Sequence, residues 1–282
     1  MYLENVTVVC FLASYIVALV LEAALFLGRM RVLRWSALGF TTAGLIAQTA
    51  YLVNRSWQVD LPPLLGSSHD WLLVSAWLVV VLYLGIQFWN RDLSLGIFCL
   101  PLVVLLVVAS WFASTSPTPQ ALDASLYVWS MWHASFLVFG MLGILLSQIV
   151  SLMYLIQHSR LKHKRAELPA LHLLSLERLA RLNWWLVVLS VPLLTFGMLS
   201  GLWMTYLTQQ GMENPVTLGN VAFVANALVW AAMAMLFGWL LVAKHPTGRV
   251  VAWRTVLATG FLLVMLLALK LTSADGIHGG PG

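Results

Sequence analysis

The chain has 282 residues, of which 61% are hydrophobic and 9% are charged. A soluble domain carries about 25% charged residues, so this composition excludes an ordinary soluble protein and indicates an integral membrane protein. The formal net charge is +5, but the basic residues are spread over several short connections, which excludes nucleic acid as a partner.

Eight apolar runs predict an all-α membrane protein, because each can cross the hydrocarbon core as a helix of about 20 residues. They lie at residues 5–27, 33–54, 69–90, 93–113, 125–157, 182–207, 217–243 and 249–272. Strands are not expected, since the runs are long and do not alternate. The N-terminus has no basic segment, so we expect no cleaved signal peptide and a retained first span.

Basic residues are distributed very unequally between the two ends of the predicted spans. Thirteen of the 15 Lys and Arg residues fall on one side, and Arg55 and Lys270 fall on the other. Because cytoplasmic loops carry the excess of positive charge, both termini are predicted to face outward from the cytoplasmic (inner) membrane. Residues 158–181 then form a basic, amphipathic cytoplasmic loop, and residues 1–282 form a single polytopic membrane domain.

Few polar residues lie inside the predicted spans. Glu22 is close to the inner end of the first span, where it can reach the headgroups or pair with Arg29 or Arg31. Cys10 and Cys99 stand alone in apolar runs and are expected to be small buried hydrophobic residues. Uncharged polar residues in other spans are expected to hydrogen-bond between helices; they are Gln48, Gln87, Gln148 and Asn226.

Three of the seven histidines fall on the predicted outer side. His69 opens the third span, where Ser68 or Asp70 is a plausible N-cap, and we expect it to belong to that cap region. His133 lies about two turns into the fifth span, and His278 follows the last span in a glycine-rich tail. The other four histidines lie in or beside basic cytoplasmic loops; they are His158, His163, His172 and His245.

Two imidazoles on the same side of a membrane can ligate a metal ion or a haem iron. Trp129 and Trp132 stand close to His133 and could flank a porphyrin, or they could form an ordinary interfacial aromatic belt. Arg55 is the one arginine on the outer side, which makes it either a candidate partner of a haem propionate or an interfacial residue. No hydrolase, zinc-protease or P-loop motif is present, so the sequence does not indicate an enzyme.

Four segments in order resemble the cytochrome c assembly protein family, which includes CcsA, CcmC and HemX-type members. They contain "GLIAQTAYLVNRSW" within 44–87, "WHASFLVFGMLGILL" within 132–165, "LERLARLNWWLVV" within 176–204, and "GRVVAWRTVLATG" within 248–279. The resemblance implies that His133 and His278 are axial ligands of haem b at the outer face. It also implies delivery of that haem towards cytochrome c.

Two departures place the chain nearest the HemX-type branch. Residues 201–220 contain one tryptophan and no "WWD" segment, and Gln48 stands where CcsA-type proteins have a transmembrane histidine. The resemblance therefore implies a haem-binding or haem-handling protein of cytochrome c assembly or haem homeostasis. Its partners would be haem, the lipid bilayer and other membrane proteins of cytochrome maturation. The alternatives are a haem-free structural or regulatory membrane subunit of a larger complex and a small-solute transporter, although no inverted repeat is evident.

Overall fold

The computed structural model describes most of the N-terminal three quarters of the chain and part of the remainder. The described residues are 7–25, 31–89, 93–115, 124–162, 174–209, 231, 234–235, 238–239, 248–257 and 260. Their secondary structure is helical. The helices are α1 (Val8–Ala24), α2 (Arg31–Val59), α3 (Pro63–Gly66), α4 (Ser68–Trp89), α5 (Gly96–Ser110), α6 (Ala124–Lys162) and α7 (Leu176–Gln209), and residues 248–257 are also helical.

Four of these helices, α2, α4, α6 and α7, are long and apolar enough to cross a membrane. Helices α1 and α5 are apolar but shorter, at 17 and 15 residues. Most of the predicted seventh and eighth spans lies outside the described residues. Large apolar side chains are exposed on the helices and directly after α5, among them Val32, Trp57, Phe88, Trp89 and Phe112. Apolar exposure on this scale indicates contact with lipid.

The segment between α2 and α4 reverses the chain within a few residues. Helix α2 continues to Val59 and is followed by Asp60, whose φ of 55° lies in the left-handed region that commonly ends a helix. Helix α4 begins at Ser68, and its N-cap is Ser67 rather than Ser68 or Asp70. The Ser67 Oγ accepts a hydrogen bond from the Asp70 N–H at 3.3 Å and donates one to Asp70 Oδ2 at 2.7 Å.

The chain divides into two compact units, Met1–Val138 with Arg160–Leu174 and Phe139–Ser159 with Ser175–Gly282. In the first unit, α1 packs on α2 and α5, and α4 packs on the same two helices. Consecutive members run antiparallel, since Tyr15 of α1 contacts Gln48 of α2 while Phe11 contacts Tyr51. The first unit therefore contains an up-and-down four-helix bundle of α1, α2, α4 and α5.

In the second unit, the C-terminal half of α6 packs closely against α7. Gly143 permits this approach, because a Cβ atom there would overlap the Ser190 hydroxyl. Ser147 donates a hydrogen bond to Asn183 Oδ1 at 2.6 Å, and Asn183 Nδ2 donates to Thr255 Oγ1 at 3.5 Å. Buried polar side chains therefore link α6, α7 and the helix that contains Thr255.

The predicted cytoplasmic loop is partly helical. Residues 158–162 continue α6 and residues 176–181 begin α7, while residues 163–173 lie outside the described ranges. The end of the predicted amphipathic loop is thus the first part of α7, where Glu177 and Arg181 form an exposed ion pair at 2.8 Å. The single membrane domain stays a prediction.

Candidate functional site

The predicted haem ligand His133 lies on an aromatic face of α6. Trp129, Trp132, His133 and Phe136 follow the spacing of three and four residues that puts side chains on one side of a helix. The Trp132 and Phe136 rings stack with centroids 5.8 Å apart and planes inclined by 30°. The indoles of Trp129 and Trp132 are 47% and 56% exposed, whereas His133 is half-buried. This aromatic face of α6 can accept a flat apolar group beside an imidazole.

The second predicted ligand, His278, lies outside the described residues. The pairing of His133 with His278 therefore stays a prediction. The structure does describe His158, which lies near the other end of α6 and stacks on Tyr154 at 6.1 Å between ring centroids. These two histidines of one helix have different aromatic surroundings, since the tryptophans accompany His133 alone.

Arg55 is held by groups of its own chain. Its Nε forms an ion pair with Asp70 Oδ1, and its Nη2 donates to the Thr115 carbonyl oxygen at 2.7 Å and to Ser67 Oγ at 3.4 Å. Asp70 is 2% exposed, so its carboxylate needs the guanidinium as a neutralising partner. The role of Arg55 at a haem propionate stays a prediction, and a propionate would share the guanidinium with Asp70.

His69 is a buried residue of the bundle as well as a neighbour of the α4 cap. It is 4% exposed, and its Nδ1 lies 2.8 Å from the Ser110 carbonyl oxygen. Because a carbonyl oxygen only accepts, Nδ1 carries the hydrogen, and Nε2 forms a hydrogen bond with the Tyr51 hydroxyl at 3.1 Å, which it accepts when the imidazole is neutral. Both ring nitrogens are engaged, so the imidazole connects α2, α4 and the end of α5.

Gln48 makes the interhelical hydrogen bonds that its position predicts. The Tyr15 hydroxyl donates to Gln48 Oε1 at 2.6 Å, and Gln48 Nε2 donates to the Leu73 carbonyl oxygen at 3.0 Å. Tyr15 and Gln48 are both fully buried. Together with the two pairs above, they form a polar column that runs into the bundle from one end; its members are Arg55, Asp70, Tyr51, His69, Gln48 and Tyr15.

Glu22 lies towards the opposite end of the bundle and does not reach the headgroups, because it is 5% exposed. Its Oε1 accepts a hydrogen bond from the Tyr83 hydroxyl at 2.9 Å. Arg31 is exposed and Arg29 is outside the described residues. Buried apolar side chains separate Glu22 from the polar column; they include Ala18, Val79, Val80, Leu100 and Val103. The bundle thus contains two separate carboxyl sites.

The sequence reasoning missed the polar column as a unit, although it contained a usable signal. Arg55 and Asp70 stand at the facing ends of consecutive antiparallel helices, so their opposite charges could have been paired in advance. Tyr15 and Tyr51 gave no comparable signal, since tyrosine is common in apolar helices. Cys99 is buried as predicted, whereas Cys10 is on an exposed face of α1.

Among the residues that the structure describes, no three His, Cys, Asp or Glu side chains are grouped so that they could hold a metal ion. No family model, no curated protein and no solved structure matches this chain.

Proposed function

We propose that this chain is a multi-pass protein of the cytoplasmic (inner) membrane that holds haem b at its outer face between His133 and His278. Eight spans with both termini outside belong to this proposal. The four long apolar helices support the membrane part. The concentration of Lys and Arg on one side supports the orientation.

One observation carries the haem part, namely the aromatic face of α6. Porphyrin has apolar faces, and its iron accepts a neutral imidazole as an axial ligand. The exposed indoles of Trp129 and Trp132 supply flat apolar area next to the half-buried imidazole of His133. The family resemblance supplies His278 as the second ligand. Haem bound there is cargo for cytochrome c assembly or haem homeostasis, and the side chains of this protein bind and orient it.

Purification in mild detergent from haem-replete cells tests this proposal. We expect a Soret band that shifts between the oxidised and reduced forms. The band should be lost in the double variant His133→Ala/His278→Ala, because both axial ligands are removed. Trp132→Ala should weaken it without abolishing it, since the ring loses apolar contact and keeps its iron ligands.

His158→Ala is the matched control, because it removes the same side chain from the same helix away from the tryptophans. It should leave the band unchanged. A preparation without a Soret band, or a band of equal strength in the double variant, would contradict haem binding at these residues.

The orientation is testable separately with single cysteines in a background without Cys10 and Cys99. Thr115→Cys is predicted to react with a membrane-impermeant thiol reagent added outside intact cells. Lys162→Cys is predicted to react only after the membrane is opened. Both positions are exposed. The reverse labelling pattern would contradict the predicted orientation. It would not affect the proposal of haem binding, which the Soret band tests separately.

A haem-free structural or regulatory subunit is the second candidate. The observation that favours it is the engagement of Arg55 and His69, whose polar atoms bind groups of the same chain. On this alternative, the purified protein has no Soret band and is recovered after crosslinking with a defined membrane partner. Purification as a haem-free protein without any partner would contradict this candidate.

A further inference from the structure

Glu22 occupies a closely packed site where α1, α4 and the first residue of α5 meet. The site lies apart from His133 and does not depend on haem binding. A Cβ atom at Gly96 would be 2.5 Å from Glu22 Cδ and 2.8 Å from Glu22 Oε1. The carboxyl group therefore lies directly on the backbone of α5, and only glycine at position 96 allows this approach.

The hydrogen-bonding groups around Glu22 do not match a carboxylate. An ionised carboxyl group has two oxygens that only accept, and it normally receives several donors. Within the described ranges, Glu22 receives one hydrogen bond, from the Tyr83 hydroxyl at 2.9 Å. By contrast, the Asp70 carboxyl group receives the Arg55 guanidinium on one oxygen and the Ser67 hydroxyl on the other.

Next to this site is a buried acceptor without a donor. Gln87 lies one turn after Tyr83 on α4, so the two side chains are on the same face of that helix. Gln87 is 2% exposed, and its Oε1 has no hydrogen-bond partner among the described residues. A buried unpaired acceptor is costly. A protonated carboxyl group on Glu22 has one O–H to donate, which is what the Gln87 oxygen lacks.

The other groups around Glu22 favour a bound proton over a bound metal cation. The described titratable groups that face Glu22 from the other helices are Tyr83 of α4, Cys99 of α5 and Arg34 of α2. Among these groups only Arg34 is charged. Its positive charge would repel a metal cation bound at Glu22. The described oxygens of Glu22, Gln87 and Tyr83 are also too few for the six or more ligands that Ca²⁺ takes, and the contact with Gly96 leaves no space on that side. A proton requires no added volume.

We propose that Glu22 is a proton-binding site inside the four-helix bundle, neutral at pH 7 and donating its O–H to the amide oxygen of Gln87. The proton comes from water and adds to the free carboxylate oxygen, while Oε1 continues to accept from Tyr83. When the proton is lost, the charge of Arg34 stabilises the Glu22 carboxylate, and the amide oxygen of Gln87 has no hydrogen-bond donor. The site is thus a switch between two hydrogen-bonding states.

Infrared spectroscopy of the purified full-length protein tests this directly. We expect a carbonyl stretch of a protonated carboxylic acid at pH 7 that shifts with ¹³C-labelled glutamate. It should be absent in Glu22→Gln and displaced in Gln87→Leu, which removes the acceptor. Asp70→Asn is the matched control and should leave the band unchanged, because Asp70 is paired with Arg55. Absence of the band at pH 7, or its persistence in Glu22→Gln, would overturn the proposal.

Thermal unfolding gives a second readout that does not need the band. Glutamine resembles a protonated glutamate, so Glu22→Gln should keep the unfolding midpoint of the parent at pH 7, whereas Glu22→Ala should lower it. If the carboxyl group were instead ionised and held by Arg34, both Glu22→Gln and Arg34→Gln would unfold well below the parent, and the proposal would be wrong. A midpoint raised by added Na⁺ or K⁺ would equally overturn it in favour of a metal cation.

Discussion

Asp70 and Glu22 are two buried carboxyl groups in one four-helix bundle, with exposures of 2% and 5%. The Asp70 carboxyl group is bonded by Arg55 and Ser67, whereas Glu22 is bonded by the Tyr83 hydroxyl and also faces Arg34. The unpaired amide oxygen of Gln87 lies one turn after Tyr83 on α4. Ionised groups are tolerated in an apolar interior when they are paired and become neutral when they are not. If Glu22 is neutral as proposed, burial alone does not decide the charge of a carboxyl group, because the donors and acceptors around it do.

The largest loss of stability is expected when Arg55, the cation paired with Asp70, is removed. We expect Arg55→Met to destabilise the protein by about 3 kcal/mol, because it leaves the buried Asp70 charge without a partner. Asp70→Asn should cost less, since the Arg55 side chain is 19% exposed and can be hydrated. Unfolding can be followed with a thiol-reactive dye that reports exposure of buried Cys99 in a Cys10→Ser background. Equal losses for the two variants would contradict the asymmetry.

The next largest loss of stability is expected at Gln48, because it is an uncharged member of the polar column. Gln48→Leu leaves the buried Tyr15 hydroxyl without its acceptor and should cost about 1–3 kcal/mol in unfolding free energy. Adding Tyr15→Phe removes the unpaired group and should recover part of that loss. The same dye assay measures both variants. A double variant less stable than Gln48→Leu would show that the hydroxyl has another acceptor.

Gly96→Ala tests the packing of the neutral site. The added methyl group would meet the Glu22 carboxyl group, so we expect a loss of about 1–3 kcal/mol from overpacking. Combining it with Glu22→Ala should make the glycine substitution nearly neutral, since the obstructing side chain is gone. Unfolding midpoints of the four proteins in this cycle provide the measurement. Independent, additive effects would contradict direct contact between residues 22 and 96.

The smallest loss of stability is expected at the exposed ion pair Glu177–Arg181. Both side chains are more than two thirds exposed, at 81% and 70%. Glu177→Ala should therefore change the unfolding free energy by only about 0.3–0.5 kcal/mol. The effect should shrink further in high salt, which screens exposed charges. A loss comparable with that of Arg55→Met would mean that this part of α7 is buried against something else.

Hydropathy was enough to predict the membrane class and the approximate positions of the six longer helices within the described ranges. It is a sum over neighbouring residues, so it needs no knowledge of the fold. Gln48 was also predictable as an interhelical hydrogen-bonding residue, because an amide within an apolar helix must find a partner. The N-cap of α4 was misplaced by at least one residue, since Ser67, Ser68 and Asp70 are all suitable caps and only the backbone distinguishes them.

The partners of the polar residues, by contrast, depend on how the helices pack. Tyr83 reaches Glu22 across 61 residues of sequence, and Ser110 reaches His69 across 41. Such pairings depend on which faces of α1, α2, α4 and α5 meet, and helical periodicity in long apolar runs does not specify that. For this reason Glu22 was expected to reach the headgroups or to pair with Arg29 or Arg31, whereas the packing of α5 against α1 encloses its carboxyl group within the bundle.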